Sequence, residues 1–547
     1  MSEHRPGTSV DAVVVGAGVA GMYMHHKLHE LGFSVRGFEA GADVGGTWYW
    51  NRYPGARCDV ESVDYSFSFS DELQQEWDWS ERYATQDEIL RYLGHVADRF
   101  DLRRDITFST RVTSAAYDED AHSWTVHADN GDVVTATYCI FATGSLSAAR
   151  VPDIPGLDRF AGRWFHTAGW PHEGVDFTGR RVGIIGTGSS GIQSTPVIAE
   201  QAAHLHVFQR SANYSVPAGN HPHTDGSRAE YKATYAERRR ASRESGGGSP
   251  HVPHPKGTHE VSEAERRDAY ERRWELGGVL FSKTFPDQLA SEEANAPARE
   301  FWEEKIRAIV EDPEVADTLI PDDHAIGTKR ICTDSDYYAT FNRDDVTLVD
   351  IRSAPIEEIT PTAIRTAEAT YELDDIVFAT GFDAMTGSLT AIDIRGRDGR
   401  ELRAEWAAGP RTYLGLMVAG FPNMFVITGP GSPSVLANMV LAAEQHVDWI
   451  GEAIAHLAET GRVAIEASEQ AQDEWVRRGN ELADRTLFPR ANSWYVGANI
   501  PGKPRVFMPF IGGFGVYREI CAEVAANDYE GFLLTPPREP AGSVAAT

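Results

Sequence analysis

The sequence predicts an α/β protein carrying two dinucleotide-binding units, with a helical insert in the second. Three observations carry that expectation. The apolar run AVVV at 12–15 is followed at once by GAGVAG, with Gly16, Gly18 and Gly21. The same grammar returns at 182–185, followed by GTGSSG, with Gly186, Gly188 and Gly191. Two later apolar runs each end in ATG, at 142–144 and at 379–381, as closing strands of the two units.

In the first unit the short apolar run suits a strand buried between neighbours. The glycines let the backbone approach a pyrophosphate at a helix N-terminus, and Val19 opens that helix, whose pattern runs on through Leu28 and Leu31. A second strand, FSVRGFE, ends on Glu39, 18 residues after Gly21, where a carboxylate accepts hydrogen bonds from ribose hydroxyls. This is the Rossmann fingerprint in its required strand, helix and acid context. The second unit repeats it with a helix through Ile198 and the strand HLHVFQR. At the offset of Glu39 it has Gln209, followed by Arg210. A carboxylate there would repel a 2′-phosphate, whereas arginine pairs with one. The first unit is therefore expected to hold a nucleotide with a free ribose and the second NADP.

Composition narrows the class. A chain of 547 residues is too long for one core. Lys plus Arg is 51 and Asp plus Glu is 81, a formal charge of −30, which disfavours nucleic acid and anionic lipid. The N-terminus shows no apolar leader before its first strand. The longest uncharged stretch, 412–443, is broken by glycines and prolines and reads as buried strand, turn and helix rather than a membrane span. A soluble cytoplasmic protein is expected. Cys58, Cys139, Cys332 and Cys521 form no CxxC, so they read as reduced thiols. Without a redox dithiol, the electrons must go to O2, a quinone or another protein.

Two further motifs decide between these. Residues 45–59 read GGTWYWNRYPGARCD and residues 160–171 read FAGRWFHTAGWP. Here the sequence resembles the type I Baeyer–Villiger monooxygenases. The fingerprint FxGxxxHxxxWP is matched by Phe160, Gly162, His166, Trp170 and Pro171, and a second signature by Gly46, Trp48, Tyr53, Pro54, Gly55 and Asp59. Related flavin N-hydroxylases and S-oxidases share the double nucleotide-binding plan but lack the closing Trp-Pro. The resemblance runs from Val13 to about Leu533. It is strongest to the steroid and phenylacetone monooxygenase branch, through RYPGARCDVES (52–62), RESGGGSP (243–250), GGVLFSKTFPDQL (277–289), AAGPRTYLGL (407–416), GPGSPSVLANM (429–439) and NSWYVGANIPGKPRVFMPF (492–510).

The resemblance implies an enzyme using FAD and NADPH to convert a ketone and O2 to an ester or lactone through a C4a-peroxyflavin. Bulky, aryl or steroid-like ketones are the expected substrates. It implies that Arg330, in GTKRICTDSDYY, is the catalytic cation and that Asp59 positions it. A fixed cation suits a reaction in which negative charge persists, because arginine cannot be titrated away. By the same likeness Gly46, Thr47, Trp48, Arg57, Cys58, Tyr65, Val112 and Met439 fall on the flavin side, with Val19 and Glu39. Thr187, Gly188, Ser189, Ser190, Gly191, Ile192 and Gln193 would line the NADP pyrophosphate, while Arg210, Ser211 and Lys329 would hold the 2′-phosphate. Trp494 would lie on a loop closing over nicotinamide and substrate, His166 would serve packing or a hinge, and Ser434 would cap a helix facing the flavin. The competing readings are a flavin N- or S-oxygenase, a reductase or oxidase releasing only peroxide, and a non-enzymatic NADPH sensor.

The expected division is a FAD domain at 1–145 and 382–535, an NADP domain at 146–213 and 327–381, a helical insert at 214–326 covering the NADP side, and a disordered tail at 536–547. Within the insert, the arginines 238–240 read as a solvated helix face. His221, His223, His251 and His254 lie among prolines and are read as lacking supporting carboxylates, and no metal is expected. The partners expected are a small ketone and O2, with no nucleic acid or membrane, in a monomer or weak homo-oligomer.

Overall fold

The computed structural model describes residues 8–537; the expectations placed on residues 1–7 and on the tail from 538 onward lie outside them. Two sheets organise the chain. The first runs Asp393–Arg395, Val112–Asp118, Ser123–Ala128, Val133–Phe141, Thr8–Val15, Val35–Phe38, Ile106–Thr107, with Met424–Val426 also pairing Val133–Phe141. The strands around Thr8–Val15 are parallel, and Ala12, Val13 and Val14 have no exposed surface, as an unbroken apolar run requires. The second sheet runs Val346–Asp350, His204–Gln209, Arg181–Ile185, Asp375–Phe378, Arg163–His166, parallel throughout. Both ATG triplets follow a strand directly beside a fingerprint strand.

The insert departs from expectation. Its first helix, Asp225–Glu244, packs on the first unit, not the second: Tyr231 and Tyr235 join the core built on Thr8–Val15. Helices Glu263–Leu276, Glu292–Ile309 and Pro313–Leu319 instead join the core of the second unit through Tyr270, Phe301, Trp302 and Leu319. The insert is also not wholly helical, since Ser215–Pro217 pairs with Cys332–Asp334 at its base.

The expected solvated arginine face is likewise corrected. Arg239 is 4% exposed and donates to Gln74 Oε1, Ser66 Oγ and the Asp64 carbonyl. Arg238 forks onto the Asp64 carboxylate at 2.6 and 2.7 Å; only Arg240 is exposed. Tyr231, Tyr235 and Arg239 follow at a spacing of four, so they share one helix face, and that face is turned inward. The buried guanidinium is tolerated because its N–H groups find acceptors.

Residues 412–443 are almost entirely buried. They contain the strand Met424–Val426 and lead into the helix Met439–Thr460. Among the described residues no helix is long and apolar enough to cross a membrane.

Candidate active site

The helices Val19–Glu30 and Ser189–Ala199 start on Gly18 and Gly188, with no side-chain cap and no acid in the first turn. Elsewhere Thr85, Ser262, Ser291 and Ser468 each cap their helix. The first-turn N–H groups of the two fingerprint helices are thus left for an anion. Gly16 and Gly186 have φ of +105° and +112°, and a Cβ on either would meet the backbone oxygen of Ala142 or Ala379 within 2.6 Å. No other residue fits there.

Both fingerprint loops open on one cavity of about 1330 Å³. On its wall lie Gly16, Gly18, Val19, Glu39, Gly46, Thr47, Trp48, Arg57, Cys58, Asp59, Tyr65, Val112 and Met439. From the second unit and its neighbours come Gly186, Thr187, Gly188, Ser189, Ser190, Gln193, Arg210, Ser211, Lys329, Arg330 and Trp494. Three expected cofactor residues are not on the wall. Gly21 and Gly191 pack against their own strands, where a Cβ would collide with the Gly16 or Gly186 carbonyl. Ile192 is 1% exposed in the core of the second unit. They pack helix closely against strand.

The segment 45–59 stitches the units together. A Cβ on Gly46 would meet Gly18 Cα at 2.7 Å, so the segment lies tightly on the first fingerprint. Trp48 Nε1 donates to the Tyr65 hydroxyl at 3.1 Å. Tyr53 donates to Gln193 Oε1 at 2.8 Å, and Gln193 Nε2 donates to the Arg57 carbonyl at 3.1 Å. The Arg57 guanidinium is committed to Glu81 and the Tyr83 carbonyl. Burial pushes the Cys58 thiol up, and that of Cys332 to about 12, so both stay protonated; all four cysteines are free and buried.

Asp59 ends this segment and meets Arg330, 271 residues away, in a two-point fork: Nε to Oδ2 at 2.7 Å and Nη2 to Oδ1 at 2.8 Å. Arg330 Nη1 donates to the Val435 carbonyl at 2.8 Å. Burial pushes the Asp59 carboxyl up, but the charge and hydrogen bonds of Arg330 outweigh it and hold it below the ordinary range. Burial works against the guanidinium too, and Asp59 outweighs it, leaving Arg330 more firmly protonated than usual. Val435 was invisible in the sequence because it contributes only a backbone oxygen.

Elsewhere on the cavity wall, Glu39 accepts from the Ala17 and Gly41 backbone N–H groups, each at 2.7 Å. Arg210 is exposed and forms no ion pair among the described residues. Thr187 Oγ1 donates to the Ser211 carbonyl at 2.8 Å. Lys329 Nζ lies 3.2 Å from Asp323 Oδ2, an acid that the sequence reading missed and that also lines the cavity. His166 is 7% exposed, with Nε2 at 3.1 Å from the Arg150 carbonyl and 3.3 Å from Thr380 Oγ1; burial holds it neutral. Trp494 is half-buried against Tyr495. Its segment is fastened by Asn499 to the Phe382 carbonyl at 2.7 Å and by Lys503 to Asp383 at 2.5 Å. Ser434 does not cap a helix: its hydroxyl donates to the Thr428 carbonyl, while Asn438 caps Met439–Thr460.

Two uncapped helix ends on one cavity, with a forked arginine on the wall they share, define an oxidoreductase of the two-dinucleotide class. Comparison with known proteins narrows this. A family model for pyridine nucleotide-disulphide oxidoreductases matches residues 13–224. A solved structure of oxidised steroid monooxygenase bound to NADP is 64% identical, with a TM-score of 0.94, covering 97% of this chain and 100% of that one. A Baeyer–Villiger monooxygenase from Pseudooceanicola batsensis is 45% identical over 96% of each chain. A phenazine N-monooxygenase from Lysobacter antibioticus is 42% identical over 96% of this chain and 97% of its own. The chain belongs to the Baeyer–Villiger monooxygenase family.

Proposed function

We propose that this protein uses FAD and NADPH to insert one atom of O2 beside a ketone carbonyl, giving an ester or lactone. The observation that carries this is the Asp59–Arg330 fork on the wall of a cavity that both fingerprint helices enter. The donor set fits two dinucleotides: uncapped helix N-termini for each pyrophosphate, the rigidly held Glu39 carboxylate for a free ribose, and Arg210 with Lys329 for a 2′-phosphate. FAD would rest on Gly16, Gly18, Glu39, Trp48, Tyr65 and Met439, and NADPH on Gly186, Gly188, Gln193, Arg210, Ser211 and Lys329. Bound flavin, reduced by the nicotinamide, supplies the activation of O2.

The chain's own residues then have defined tasks. Arg330 has five N–H groups and spends three on Asp59 and Val435, leaving two, beside the Tyr495 hydroxyl, for further acceptors. It stabilises the negative charge that develops on the ketone oxygen, and the fixed fork means little reorganisation is needed as that charge grows. Asp59 serves geometry: it holds the guanidinium plane without neutralising the site through a proton. Asn499 and Lys503 hold the 494–503 segment, which places Trp494 on the cavity wall, where the segment would exclude water. Bulky, aryl or steroid-like ketones are the proposed substrates, with steroid monooxygenase the relative that suggests them. We further propose a FAD domain at 8–145 and 382–535, an NADP domain at 146–213 and 327–381 with the insert 214–326 packed on both, a cytoplasmic location, and a monomer or weak homo-oligomer.

The phenazine N-monooxygenase among the relatives supports a second reading, oxygenation of an aromatic nitrogen. The purified holoenzyme with NADPH, O2 and a panel of cyclohexanone, phenylacetone, progesterone and phenazine, read by mass spectrometry, separates the two. Ester or lactone from the ketones is expected. N-oxide alone would overturn the ketone assignment, and reactivity confined to small cyclic ketones would overturn the steroid-like one.

A further inference from the structure

The cation pair proposed for the coenzyme phosphate contains an unexpected carboxylate. Asp323 lines the same cavity as Arg210 and Lys329, and its Oδ2 lies 3.2 Å from Lys329 Nζ. Its Oδ1 accepts from Nδ1 of the neighbouring His324, whose side chain is fully buried. The hydrogen bond from His324 and the charge of Lys329 hold the Asp323 carboxyl far below its ordinary value despite partial burial. It is therefore anionic whenever the enzyme works. The Lys329 and Asp323 side chains are 16% and 23% exposed, so solvent screens the pair incompletely.

We propose that Asp323 is a specificity-setting counter-charge: a 2′-phosphate must share Lys329 with it, and it holds coenzyme affinity below what Arg210 and Lys329 alone would give. The inference rests on the NADP reading of those two cations. Lys329 has three N–H donors, so it can serve phosphate and carboxylate together. Sharing a cation, however, brings the phosphate dianion within a few ångström of a fixed anion in a partly desolvated site, and like charges there repel. The His324 hydrogen bond fixes Asp323 in place, so it cannot swing away. The consequence is a dinucleotide bound selectively yet able to leave.

The test uses the FAD-loaded enzyme and two probes, adenosine 2′,5′-bisphosphate and 5′-AMP, titrated by calorimetry. Asp323→Asn keeps the side-chain shape and removes the charge. It should bind the bisphosphate about three- to tenfold more tightly and leave AMP affinity unchanged. Asp322→Asn is the control: it removes the same formal charge from an adjacent acid that pairs with Arg352 instead, and should change neither affinity by more than about twofold. Asp323→Ser should agree with Asp323→Asn, and retained FAD and AMP affinity shows each variant intact. Unchanged or weaker bisphosphate binding in both Asp323 variants overturns the proposal and leaves Asp323 as a holder of Lys329. If the unaltered enzyme binds the two probes equally, the NADP reading of Arg210 and Lys329 falls, and this inference with it.

Discussion

The two nucleotide-binding units repeat the same glycine geometry and part at the end of their second strand. Gly16 and Gly186 share a left-handed backbone and the same near-collision with the closing strand. Gly21 and Gly191 share the same contact with their own fingerprint carbonyl. The difference lies one strand later. Glu39 is buried with both oxygens receiving backbone N–H groups, whereas Gln209 turns away to donate to the Thr318 carbonyl and Arg210 stands exposed. On the proposed reading, the glycine loop makes a site for a pyrophosphate, and the side chains at the end of the second strand choose which dinucleotide occupies it.

The largest expected effect falls on the joint between the units. Arg330→Ala should cut ester formation by at least about 10²–10³, the scale for removing one donor to a developing oxyanion. NADPH should still bleach the flavin in stopped-flow absorbance, because hydride transfer builds no charge that Arg330 must hold. Arg330→Lys should fail almost as badly, since a point charge cannot reproduce the planar fork, and Asp59→Ala should resemble it more mildly. Near wild-type ester formation by Arg330→Ala would mean the stabilising cation lies elsewhere. The depressed Asp59 pKa also fixes a sign. The stability it contributes is present above about pH 4, the unfolded carboxylate value, and is lost only as pH falls through the lower folded value. The fork should therefore impose no pH limb on ester formation between about pH 5 and 9.

The next effect should erase the contrast between the strand ends. Each charge-assisted phosphate contact is worth about 1.5–3 kcal/mol, so Arg210 and Lys329 together imply a preference for NADPH over NADH of roughly a hundredfold or more. The double variant Arg210→Ala/Lys329→Ala should bring kcat/KM for the two coenzymes to within about tenfold of each other. Equal use of both by the unaltered enzyme would remove the distinction between the units.

On the other side, Glu39→Gln should weaken FAD retention by about tenfold, measured by flavin release on dilution, while leaving bisphosphate binding unchanged. A matching loss of bisphosphate binding would show that the units are not independent in this respect.

The smallest effects concern the divided insert. Arg239→Ala should cost about 1–3 kcal/mol by stranding buried acceptors, whereas Arg240→Ala, one residue on, should stay within about 0.5 kcal/mol in urea unfolding. Equal costs would return the whole arginine run to the solvated face first expected of it.

Much of this was legible because it is local. The strand, glycine and helix grammar, the opposite charges at Glu39 and Arg210, and the absence of a redox dithiol all follow from neighbours in sequence, and the two signature motifs carried the family. Some misreadings were local too. The four-residue spacing of Tyr231, Tyr235 and Arg239 already marked one helix face, but a run of three arginines hid it. Ser434 was taken for a helix cap, although Asn438, one residue before the helix, has the right chemistry.

What the tertiary structure alone decided are the contacts between segments remote in the chain. Asp59 meets Arg330 across 271 residues, and Val435 offers its carbonyl to the same guanidinium from 105 residues further on; the Asp323–Lys329 pair is six residues apart, but only the turn between them brings the two side chains together. Sequence patterns report the two periods at which a helix or strand repeats its environment. They carry no distance between elements, and a backbone oxygen or a counter-charge contributed from elsewhere has no residue type that announces it.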